Sequence, residues 1–123
     1  MSGSDNEQIQ YGRGWKTYYT EVPNELFEEN CSLKPHTFAV YVYLLKCLNV
    51  KKNGYTAWPS YTTMAKATRM SRQGAINAIN ELEGKEYIER EPRRISIKAY
   101  TSNLYYINHP TESLDWLSTS RIE

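Results

Sequence analysis

Ser71, Arg72, Gln73 and, one helical turn further on, Asn77 carry side chains that hydrogen-bond in fixed, directional patterns. An arginine fork matches the O6 and N7 acceptors of guanine, and the amides of glutamine and asparagine match N6 and N7 of adenine. A helix laid into the major groove of duplex DNA needs such groups in its first turns, because phosphates flank the rest. The same residues also suit an ordinary solvated helix start, so the elements that carry them decide their meaning.

Ser60, Tyr61 and Thr62 lie upstream at the start of a second helical pattern, whose free N–H groups and dipole can hold a phosphate. Ser60 would act as a cap in either case. Lys66 and Arg69 follow as candidate phosphate contacts. Arg93, Arg94 and Lys98 put three cations into a later connector. There they either lie along a nucleic-acid backbone or in its minor groove, or form a plain charged turn. Gly74 costs roughly 1 kcal/mol against alanine inside a helix. It marks either a close backbone approach, such as a sugar-phosphate strand, or mere drift.

Catalytic arrangements are missing from the pattern. His36 and His109 stand in unrelated contexts, and there is neither a serine, histidine and acid set nor a glycine-rich phosphate loop. Glu25, Glu28 and Glu29 share one short helical segment, where they match the helix dipole. No enzyme activity, cofactor or metal is expected. Cys31 and Cys47 lack CxxC or histidine partners and read as reduced thiols, with a disulfide as the alternative.

The elements that must position the polar residues follow from periodicity. Residues 1–14 read as a mobile leader and Trp15 to Val22 as a short strand or extended arm. Pro23 opens a brief helix. From Pro35 to Val50, Phe38, Val42, Leu45 and Leu48 recur at helical spacing, flanked by Ala39 and Tyr41, and Lys51 to Gly54 end the run. An extended piece near Tyr55 to Trp58 precedes a helix capped by Ser60 and reaching about Thr68. Ser71 can cap the next, from Arg72 to Lys85, with Ala75, Ile76, Ile79 and Leu82 inward and Gln73, Asn77 and Glu81 opposite. Tyr87 to Glu91 and Thr101 to Ile107 are β-prone and read as a hairpin with a long loop. Thr111 to Ser118 reads as a short amphipathic helix with Leu114 and Leu117 inward.

Composition fits one soluble domain, and the order of the elements makes it α+β and mainly helical. The chain has 123 residues, 40% hydrophobic and 24% charged, with no run long enough for a membrane span or a signal peptide, so a cytoplasmic protein is expected. Eleven tyrosines against two phenylalanines imply many half-buried rings with wet hydroxyls. Net charge is only +1, yet residues 34–98 hold twelve basic and five acidic groups, so the ends are acidic and the middle is basic.

The run WPSYTTMAKATRMSRQGAINAINELEGKEYIERE, followed by TSNLYYI, resembles the winged helix-turn-helix domains of bacterial plasmid and phage replication initiators and small regulators. Pro59, Ser60, Met64, Ala65, Met70 and Ser71 match the first helix and turn of that pattern. Arg72, Gln73, Ile76, Ile79, Leu82, Glu83, Tyr87 and Ile88 match the recognition helix and first wing strand. The chain departs at Arg69, where the family usually has glycine, and at Gly84, which stands before Lys85 and Glu86 rather than at the wing. The resemblance covers residues 35–107, and with the composition of the ends it divides the chain into a mobile leader over 1–14, a winged domain over 15–110 and a short C-terminal helix or tail over 111–123. It also implies double-stranded DNA as partner, with Ser71, Arg72, Gln73 and Asn77 reading bases.

Such a protein would serve in replication initiation, in transfer or maintenance of a plasmid, phage or conjugative element, or in transcription regulation, alongside proteins of those processes. A homodimer is expected because one short helix reads few base pairs. Its surface would involve the leader, Trp15 to Glu21, or Leu114, Trp116 and Leu117, unless those residues only cover the long helix. The competing reading is a winged helix that docks a protein partner without reading DNA.

Overall fold

The computed structural model describes residues 12–14, 18–48, 56–92 and 103–117. Helix α1 (Pro35–Cys47) begins with proline at its first position, where a missing N–H costs nothing, and ends at Leu48. Strand β1 (Thr56–Ala57) leads into α2 (Tyr61–Thr68), a tight turn, and α3 (Arg72–Gly84). Strands β2 (Ile88–Glu91) and β3 (Leu104–Ile107) complete an antiparallel sheet of order β1-β3-β2. Register is set by Ile88 opposite Ile107, Arg90 opposite Tyr105, and Ala57 opposite Tyr105 on the other edge. Helix, strand, helix-turn-helix and hairpin in this order make a winged helix-turn-helix, an α+β and mainly helical fold.

The core lies between the three helices and one face of the sheet. Val40, Tyr41 and Leu44 of α1 meet Met64 and Ala65 of α2, Ala75, Ala78, Ile79 and Leu82 of α3, and Ile88, Tyr105 and Ile107 of the sheet. The α1 stripe differs from the expected one. Thr37, Val40, Tyr41 and Leu44 are buried, while Phe38, Val42, Leu45 and Leu48 are only half-buried. Because α1 is apolar nearly all round, periodicity alone admitted both faces.

Tyr43 and Tyr61 are half-buried as expected, but three other tyrosines are not. Tyr41, Tyr87 and Tyr105 are buried, and the first two pack edge to face with centroids 5.6 Å apart. Their hydroxyls find partners within the protein. Tyr41 donates to the carbonyl of Asn108, Tyr87 donates to Asp115 Oδ2 at 2.8 Å, and Tyr105 accepts from Asn103. Burial holds all three phenols well above their usual pKa.

Asp115 fastens the C-terminal segment to the domain. Its carboxylate accepts from the Ser32 N–H at 2.9 Å as well as from Tyr87, and Lys85 Nζ donates to Ser32 Oγ at 2.6 Å. Burial alone would raise the Asp115 pKa, but the bonds from Ser32 and Tyr87 outweigh it and hold the carboxyl below its ordinary range. The segment begins as a 3-10 turn (Pro110–Glu112) and continues as a helical turn over 114–117. Contrary to the expected amphipathic helix, Leu114 and Leu117 remain exposed, and Pro110 and Ser113 are the buried residues. The segment is held by polar bonds, which an apolar pattern does not reveal. The short helix after Pro23 forms as a 3-10 turn (Asn24–Phe27), and residues 18–22 make no regular strand. Both cysteines are free.

Candidate nucleic-acid interface

Ser60 and Ser71 cap their helices in the same way. Ser60 Oγ accepts from the Thr63 N–H at 3.0 Å, and Ser71 Oγ accepts from the Gly74 N–H at 2.9 Å. Each cap satisfies one of the orphan donors of a helix start and fixes the entry angle of the chain. The N–H groups of Tyr61 and Thr62, and of Arg72 and Gln73, precede the first intrahelical bond of their helices and point out of the two N-termini.

Between the helices stands the departure noted in the sequence. Arg69 closes α2 with φ 59° and ψ 47°, and its N–H bonds to the carbonyls of Ala65 and Lys66. The turn therefore keeps the left-handed geometry that glycine would ordinarily supply, with an arginine bearing the steric cost. The displaced glycine resolves similarly. Gly84 is the last residue of α3, and the positive φ of 64° falls on Glu86, at the entry to β2. The left-handed step is present in the backbone but occupied by glutamate.

Gly74 has a local explanation. A Cβ there would stand 3.3 Å from Ser71 Oγ and 3.6 Å from Met70 Cβ, so the close neighbour is the turn itself. No nucleic-acid strand is needed to account for it.

The outward face of α3 is built of amides. Gln73 Nε2 donates to Asn77 Oδ1 at 2.9 Å, and both side chains are exposed. Glu81, expected on the same face, instead turns to α1, where Thr37 Oγ1 donates to it at 2.6 Å and Lys85 pairs with it at 3.1 Å. Burial works against its charge, but the bonds from Thr37 and Lys85 prevail and hold its pKa down. Asn80, not singled out from sequence, takes the vacated place. It is exposed and lies seven residues after Gln73 and three after Asn77, which aligns all three along one stripe. The signal was present in that spacing.

Arg72 lies at the α2 side of this stripe, with its guanidinium carbon 5.5 Å from the centre of the Tyr61 ring. The Tyr61 hydroxyl accepts from Arg90 Nη1 at 2.8 Å and from Asn103 Nδ2 at 3.1 Å. Arg90 also pairs with Glu83 and donates to Asn80 Oδ1 at 3.1 Å. Partial burial would lower the Arg90 pKa, but Glu83 and Tyr61 outweigh it and hold the guanidinium charged. Arg90 thus ties β2 to both helices of the pair. Sequence reasoning overlooked it because a cation inside a strand of alternating charge looks like solvated surface.

Ser71, Arg72, Gln73 and Asn77 are brought together, and Thr62, Lys66 and Arg69 are exposed beside them on α2 and the turn. A groove of about 450 Å³ continues past Asn77 to Lys34 and His36 at the start of α1. Arg93, Arg94 and Lys98 lie outside the described residues. Among the described residues, no cluster of histidine, cysteine or carboxylate side chains could hold a metal, and no helix is long and apolar enough to cross a membrane.

Comparison with known proteins agrees with this architecture. Residues 32–88 match the family model described as a helix-turn-helix domain, a span from just before α1 to the first residue of β2. A solved structure described as "N-Terminal domain of DNA binding protein" superposes with a TM-score of 0.57 at 18% identity, covering 94% of this chain and 95% of that one. No curated protein matches the chain. The matched segment contains both helices and the turn of the helix-turn-helix seen in the fold.

Proposed function

We propose that the chain binds double-stranded DNA in a sequence-specific manner, with α3 in the major groove. The observation that carries this reading is the exposed stripe of Arg72, Gln73, Asn77 and Asn80 on the second helix of a helix-turn-helix. Those groups are the ones that read guanine and adenine edges. The exposed cations Lys66 and Arg69, the N-terminus of α2 at Ser60, Tyr61 and Thr62, and the wing cations Arg93, Arg94 and Lys98 supply phosphate contacts. The family resemblance of the sequence supports this class of partner, as does the likeness to a solved domain of a DNA-binding protein.

Within that class, the resemblance favours a mobile-element protein acting in replication initiation, transfer and maintenance, or transcription regulation. Acting as a homodimer, it would mark a site and recruit partners that supply the chemistry. Binding to mixed duplex DNA at two salt concentrations tests the proposal, because a protein neutralising several phosphates loses affinity steeply as salt rises. Affinity absent at about 50 mM salt would refute it and favour a protein-docking winged helix.

A further inference from the structure

We propose that Tyr61 is a positioning residue for Arg72, a platform over which the arginine of the reading helix is held before it meets a base. The inference rests on the DNA-reading assignment of α3 and deepens it. Three contacts meet at one ring. Its centroid lies 5.5 Å from the Arg72 guanidinium carbon, and its hydroxyl accepts from Arg90 of β2 and from Asn103 just before β3. Tyr61 itself is the first residue of α2 and packs partly against the core. The ring is therefore fixed from three sides.

A free arginine on a helix start samples many rotamers and loses that freedom on binding. A guanidinium held over an anchored ring is already restricted, so less freedom is lost for each hydrogen bond formed to guanine. The anchoring also links the wing to the reading head. Arg90 reaches the Tyr61 hydroxyl, Glu83 and Asn80 at once, so β2, the start of α2 and the C-terminal half of α3 are held in one register. This predicts that Tyr61 governs discrimination at the base pair that Arg72 reads, although its own side chain touches no base.

The test uses the full chain and a duplex enriched from a random pool. Affinity for that duplex is compared with affinity for a copy changed at the base pair whose preference depends on Arg72, for wild type, Arg72→Ala, Tyr61→Phe, Tyr61→Leu and the Tyr61→Leu/Arg72→Ala pair. Thermal melts confirm folding, and Tyr61→Met replaces Tyr61→Leu should the latter not fold. The expected result is a two- to fivefold loss of discrimination at that base pair in Tyr61→Leu, about the strength of an exposed cation–π contact. Other positions keep their preference, Tyr61→Phe retains most of the discrimination, and Tyr61→Leu has no further effect once Arg72 is alanine. If Arg72→Ala abolishes discrimination while Tyr61→Leu leaves it intact, the platform role is overturned and the reading role of Arg72 stands. If no base pair depends on Arg72, the reading assignment itself fails and the platform falls with it.

Discussion

Replacing Arg69 with glycine should make the domain more stable, because the turn between α2 and α3 holds a residue with a Cβ at φ 59° and ψ 47°. An L-residue in this region costs roughly 1–2 kcal/mol. Glycine escapes that cost but gives back about 0.4–1 kcal/mol through the greater freedom of its unfolded chain. The difference leaves Arg69→Gly ahead by about 0.5–1 kcal/mol, or roughly 2–6 °C in Tm for a domain of this size. The Arg69 side chain is exposed, so its removal sacrifices no packing. Arg69→Ala provides the control, since it removes the same charge and keeps the Cβ. Urea unfolding followed by circular dichroism should rank glycine above wild type and alanine at or slightly below it. On DNA, both variants should lose the same increment of affinity, because each removes one cation beside the reading helix. Glycine no more stable than alanine would refute the claim that backbone strain is stored in this turn.

Further outcomes can be checked with the same materials. Arg72→Ala or Gln73→Ala should cost about 1–3 kcal/mol on the preferred duplex and relax its specificity, whereas Lys66→Ala should weaken all duplexes alike and flatten the salt dependence. Gly74→Ala should fall well short of the gain of about 1 kcal/mol that helix propensity offers, because the new Cβ presses on the Ser71 cap at 3.3 Å. Urea unfolding would show the full gain if the cap yields freely. Asp115 has a folded pKa below its ordinary value, so its contribution is complete above the usual carboxylate range and disappears as pH falls through the folded value. Asp115→Asn should therefore be less stable than wild type at neutral pH, and the gap should narrow as pH falls below the usual carboxylate range in a series of unfolding curves. An unchanged gap at low pH would place the role of Asp115 outside its charge.

The parts of the fold written in local chemistry were legible in the sequence. Ser60 and Ser71 each bond the N–H three residues on, as their places before apolar runs predict, and the two β-prone segments pair as a hairpin. What escaped was decided by tertiary partners. Glu81 has the helical spacing of a groove-facing residue, yet Thr37 and Lys85 draw it to α1, and Asn80 is left in its place. Leu114 and Leu117 have the spacing of a buried face, but the polar ties of Asp115 and the burial of Ser113 orient that segment differently. Arg90 could not be distinguished from surface charge without the hydroxyl of Tyr61 and the carboxylate of Glu83. In the site, the types and most of the facing were readable, and the supporting contacts were not.

Selection of bound duplexes from a random pool, run in parallel with wild type, Arg72→Ala and Gln73→Ala, tests the reading role of α3 most directly. Wild type should enrich one motif containing guanine and adenine positions, and each variant should lose preference at a separate position within it. Enrichment of no motif, or of the same motif by all three proteins, would contradict the assignment.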